Sequence, residues 1–114
     1  MTPAIIGYYS DQWAIHCIPQ VMFTRQVKAG EARTIVKHTF GEGDEVYLYN
    51  GGTTPLKFYL AGTKDAQPGS ISLTLAAKGE QTVLASALGK LTDTNLCVIN
   101  TDTLHLGAYS AELV

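Results

Sequence analysis

Three histidines, His16, His38 and His105, and two cysteines, Cys17 and Cys97, are the side chains of this sequence best suited to bind a metal or move protons. Imidazole nitrogen and thiolate sulfur ligate zinc and copper, and imidazole exchanges its proton near neutral pH. That work usually shows as short, patterned spacings. No His-x-His, His-x3-His or Cys-x-x-Cys pattern occurs. A blue-copper arrangement would place a His and then a Met shortly after a Cys, whereas Cys97 precedes His105 by eight residues and no Met follows. A set formed by His38, Cys97 and His105 would have to be gathered by the fold, and no metal and no cofactor are expected.

The acidic run Glu42, Asp44 and Glu45 stands in a glycine-containing turn. It lacks the alternating carboxylates of a calcium loop and reads as a solvated turn. Asp65, Asp93 and Asp102 also fall in turn-like stretches, where their carboxylates bond nearby backbone amides. There is no G-x-S-x-G, S-x-x-K or phosphate-binding glycine loop. Gly41, Gly43, Gly51 and Gly52 are turn residues between strands. The chain is therefore expected not to be an enzyme.

Cys17 and Cys97 both sit in apolar, β-prone segments and read as buried thiols packing as small hydrophobes. A disulfide between them is the alternative, and it would require an oxidising compartment.

The elements that would position these groups follow from composition and alternation. The chain has 114 residues, enough for one domain with one core, and 46% hydrophobic against 16% charged residues marks it as globular. A net charge of −2 with no Lys/Arg cluster gives no electrostatic footprint for nucleic acid. Its apolar stretches are too short for a membrane span. Residues 1–9 carry no basic residue ahead of their apolar patch, so no signal peptide is expected, and the location stays open.

Short strands are expected at 4–9, 13–18, 21–27, 33–40, 46–50, 56–60, 71–75 and 96–100, with a last one within 104–113. Residues 80–91 fit either a helix face or a strand, and strand is preferred. Turn signals about every ten residues predict an all-β fold, an antiparallel β-sandwich or small barrel of seven to nine strands spanning residues 1–114. Residues 1–12 are expected to form an arm, and Ile5, Ile6, Tyr8, Tyr9 and Trp13 give that end an apolar, aromatic character suited to docking.

A faint repeat supports a fold of two related halves, 30–61 and 79–111. Val46, Leu48, Asn50, Thr53, Leu56, Tyr59 and Ala61 recur fifty residues later as Leu96, Val98, Asn100, Thr103, Leu106, Tyr109 and Ala111. Gly30-Glu31 matches Gly79-Glu80, and Thr34-Ile35-Val36 matches Thr82-Val83-Leu84.

If 46–50 and 56–60 form a hairpin with one core face, residue 48 must pair with 58. Tyr47, Tyr49, Lys57 and Tyr59 then share the outer face as an aromatic platform, and tyrosines are favoured at binding surfaces. The functional expectation is a non-catalytic structural or assembly module of a particle, fibre or surface layer, binding itself or another protein. The alternative is a small carbohydrate-binding domain that stacks glycan on the tyrosines, with Asn50 and Asp44 as polar contacts.

Overall fold

The computed structural model describes residues 21–114. Its strands, in chain order, are β1 (Val21–Val27), β2 (Ala32–Lys37), β3 (Glu45–Asn50), β4 (Leu56–Ala61), β5 (Leu73–Leu75), β6 (Glu80–Leu84), β7 (Asn95–Ile99) and β8 (Gly107–Leu113). One 3-10 turn, Ala85–Ala87, follows β6. The strands form two antiparallel four-stranded sheets: sheet 1 in the order β1-β8-β3-β6 and sheet 2 in the order β2-β7-β4-β5. The all-β sandwich expected from alternation is therefore the fold. The strands expected at 4–9 and 13–18, like the arm at 1–12, lie outside the described residues.

The core lies between the sheets and comes from alternate positions. Val46 and Leu48 of β3, Tyr109 and Ala111 of β8, Leu56, Phe58 and Leu60 of β4, and Leu96 and Val98 of β7 are all buried in one cluster. Full burial of each large aliphatic side chain contributes about 1.5–3 kcal/mol. The Phe58 and Tyr109 rings meet edge to face across the two sheets, with centroids 6.4 Å apart. Segment 80–91 is a strand only as far as Leu84, then tightens so that Ala85 and Leu88 join the core. The second strand ends at Lys37, earlier than the expected 40, with a bulge between Thr34 and Val36.

The expected hairpin of 46–50 with 56–60 does not form. β3 pairs with β6 and β8, and β4 pairs with β5 and β7, so residues 51–55 carry the chain from one sheet to the other. Likewise β7 and β8 belong to different sheets. The reason is geometric: a hairpin with one buried face and an arch whose strands face each other across a core bury the same alternate residues. Val46, Leu48, Leu56, Phe58 and Leu60 satisfy both.

Exchanging β1 with β5, β2 with β6, β3 with β7 and β4 with β8 turns the strand order of sheet 1 into that of sheet 2. The turns obey the same exchange. Glu31 N donates to Lys28 O at 3.0 Å and Gly79 N to Ala76 O at 2.9 Å. Asn100 N then donates to Glu31 O, and Asn50 N to Gly79 O. Gly30 (φ +76°) therefore corresponds to Lys78 (φ +64°), and Glu31 to Gly79, one residue off the match drawn from sequence. Only glycine enters this left-handed region without cost, so Lys78 occupies it under strain.

The repeat is also misaligned at its end. Matched through the strands beside them, Leu56 opposite Leu75 answers to Gly107 opposite Val27, while Lys57 opposite Ile99 answers to Ser110 opposite Tyr49. Either route puts Phe58 in phase with the inward residues Tyr109 and Ala111. Tyr59 and Tyr109, alike in sequence, point to opposite sides of their sheets.

Candidate functional site

The outer face of sheet 1 is where aromatic and polar side chains gather. Because Val46 and Leu48 point inward, Glu45, Tyr47 and Tyr49 point outward. In register, Met22, Glu112, Tyr47 and Thr82 form one row across the four strands. Thr24, Ser110, Tyr49 and Glu80 form the next. Leu84 stands opposite Glu45 at the margin.

Hydrogen bonds tie this surface together. The Tyr47 hydroxyl donates to Glu80 Oε1 at 2.5 Å, along the diagonal between the rows. Thr24 Oγ1 and Ser110 Oγ lie 3.2 Å apart, bridging β1 and β8. The bond to Glu80, with some loss of solvent and nearby negative charge, pushes the Tyr47 phenol up to about 12. Glu112, flanked by Met22 and Tyr47, has its carboxyl raised by desolvation. A carboxylate in such a setting gains by meeting a positive group. The ring of Tyr49 covers Gly51: a Cβ there would lie 3.2 Å from Tyr49 Cε2.

The outer face of sheet 2 differs. Tyr59, Ala61, Cys97 and Ile99 are buried there, with Ala66 of the 62–70 loop packed on them. The Tyr59 hydroxyl donates to Ala66 O at 2.5 Å. Asp65 fastens the loop to β2: Thr34 N donates to Asp65 Oδ1, and Asp65 N donates to Thr34 Oγ1, both at 2.7 Å. Burial raises the Cys97 thiol despite a contact with Thr34 Oγ1 at 3.6 Å.

The expected four-residue platform is therefore divided. Tyr47 and Tyr49 stand together on sheet 1, while Lys57 and Tyr59 lie on the far side of the sandwich, on sheet 2. The cause is the arch at 51–55, which replaces the hairpin that would have joined them. Asn50 is fully buried and turned to backbone partners, so it is no surface contact. Asp44 Oδ2 accepts from Gly41 N at 2.6 Å within its turn. The arm residues Ile5, Ile6, Tyr8, Tyr9 and Trp13 lie outside the described residues.

Comparison with protein-family models, with curated proteins and with solved structures found no match.

The remaining candidates are scattered. His38 N donates to Thr94 O, just before β7, and its ring packs on Phe40. His105 O accepts from Asn100 Nδ2, just beyond the other end of β7. A five-residue strand at about 3.3 Å per residue separates these points, too far for one metal to span. Among the described residues, no three His, Cys, Asp or Glu side chains are grouped as metal ligands. His105 Nδ1 lies 3.0 Å from Asp102 Oδ2. The amides of Leu104 and His105, with a smaller contribution from the imidazole, hold the Asp102 carboxyl near 2.

Sequence reasoning missed Glu80 and Glu112 as neighbours of Tyr47. Their outward phase is readable from alternation, but their strand partners are not.

Proposed function

We propose that this domain is a non-catalytic docking and self-association module whose contact surface is the outer face of sheet 1. The observation that carries this reading is the contrast between the two outer faces. Sheet 2 has its tyrosine and cysteine packed under Ala66 of the chain's own 62–70 loop. On sheet 1, Tyr47 and Tyr49 stand between Met22, 60% exposed, and Leu84, 47% exposed, with no described segment across them. Rigid tyrosines among exposed apolar groups and satisfied hydroxyls have the make-up of a protein interface. A flat four-stranded surface also suits a partner with a flat face of its own.

The test is solution mass by light scattering across a concentration series, for the wild type and for Met22→Lys/Leu84→Lys. The proposal expects a concentration-dependent oligomer that the double variant abolishes, with the melting temperature unchanged. A monomer at every concentration would refute self-association.

Glycan binding is the second reading, supported by Tyr47 and Tyr49 side by side with the acceptors Glu80 and Ser110. It has lost Tyr59 and Lys57 from its platform. A calorimetric titration with oligosaccharides that shows binding abolished by Tyr49→Ala would raise it above the first.

A further inference from the structure

We infer that copies of this chain associate head to tail, the outer face of sheet 1 of one copy seating on the outer face of sheet 2 of the next. This rests on the self-association reading above and assigns its two surfaces. The two outer faces differ in charge. Glu45, Glu80 and Glu112 point outward from sheet 1, and Lys78, at the rim of that face just before β6, has its ammonium on Gly51 O at 2.6 Å. Sheet 2 has the opposite character. Lys57 shares the outward phase of Tyr59, Lys37 lies opposite the outward Asn95, and Lys64 rides on the covering loop. The loop's own acid, Asp65, is engaged by the Thr34 amide, and Asp93 packs at the loop's base beside Gly62. Two copies joined symmetrically through sheet 1 would set carboxylates against carboxylates, which costs affinity.

The complementary faces lie on opposite sides of one sandwich, so each copy can use both at once. Such a contact is heterologous, and repetition extends it into a row or ring of subunits. The partly desolvated Glu112 carboxylate then meets a lysine where the isolated domain offers it none among the described residues.

The experiment uses two charge-reversed proteins: Glu45→Lys/Glu80→Lys, and Lys57→Glu/Lys64→Glu. Near-ultraviolet circular dichroism and melting temperature establish that each is folded. Light scattering should show the association constant of each alone reduced at least about tenfold. An equimolar mixture should recover assembly, because each reversed face finds its complement on the other protein. If either variant fails to fold, a salt series on the wild type takes its place, and assembly should weaken steeply between about 0.05 and 0.5 M salt.

A wild type that assembles while both reversed proteins assemble equally well overturns the head-to-tail arrangement and leaves self-association standing. Loss of assembly on reversal of the acidic face alone overturns it too, since the lysine face then has no part. A wild type that never leaves the monomer overturns both.

Discussion

Asn50 and Asn100 make matching sets of hydrogen bonds from opposite sheets. Asn50 Nδ2 donates to Thr54 O at 2.8 Å and to Leu75 O at 3.0 Å, and its Oδ1 accepts from Gly52 N. Asn100 Nδ2 donates to His105 O at 2.9 Å and to Val27 O at 3.1 Å, and its Oδ1 accepts from Asp102 N. Both are fully buried. Asn50 ends β3 and Asn100 directly follows β7; each closes the loop after its inner strand and reaches the last residue of a strand in the facing sheet.

Replacing either with Ala leaves buried carbonyls without a donor. Each substitution is expected to cost about 2–4 kcal/mol in urea unfolding, with an unchanged slope against denaturant. A cost below about 1 kcal/mol would show that water replaces the amide, and the clamp would then be unimportant.

Gly107 opens β8 where nothing larger fits. A Cβ there would lie 2.8 Å from Leu56 Cδ2 and 3.2 Å from Asn100 Nδ2. Gly107→Ala is expected to destabilise by about 1–3 kcal/mol. The same change made on Leu56→Ala should cost less, because the clashing methyl is gone. Additive losses in that double-mutant cycle would contradict the steric account.

Tyr47 couples the proposed contact face to pH. Its phenol is raised from 10 to about 12 by the bond to Glu80, so the fold favours the protonated form. The contribution to stability is complete below pH 10 and disappears as pH climbs from 10 to about 12. Absorbance at the phenolate wavelength should show, as the difference between wild type and Tyr47→Phe, one group titrating near 12. A difference centred near 10 would mean that the bond is not kept in solution.

Cys97 is fully buried under the 62–70 loop, and that burial raises its thiol, so little thiolate forms at neutral pH. In a Cys17→Ser background the thiol should react with a disulfide reagent about a hundredfold slower in the native state than in urea. Asp65→Ala removes the clasp on Thr34 and should speed the native reaction. Equal rates with and without Asp65 would show that the loop does not gate this face.

The legible part of this fold was its alternation. Val46, Leu48, Leu56, Phe58 and Leu60 were readable as sharing one core face, and all five are core. What alternation leaves open is which strand lies beside which, since facing sheets and a folded-back pair bury the same positions. That ambiguity moved Lys57 and Tyr59 away from Tyr47 and Tyr49, and it hid Glu80 and Glu112, which come from strands distant in sequence. Resemblance by residue type misled in a second way. Tyr59 and Tyr109 look equivalent, yet one faces the covering loop and the other faces Phe58. We take the shared strand order as support for a doubled four-strand unit, which remains a proposal about origin.

The strand orders carry one more consequence. Every neighbour in either sheet joins a strand from β1–β4 to one from β5–β8, and within neither group do two strands pair. Among the described residues, each group alone lacks every strand partner it has in the native sheets, so neither is expected to persist as a native-like intermediate. On the ribosome, sheet 1 waits for β8, which fills the place between β1 and β3. The molecule behaves as two interlaced partners tethered by residues 62–72. Severed in that tether, the pieces would be separate subunits that fold only upon meeting, at a rate set by their concentration.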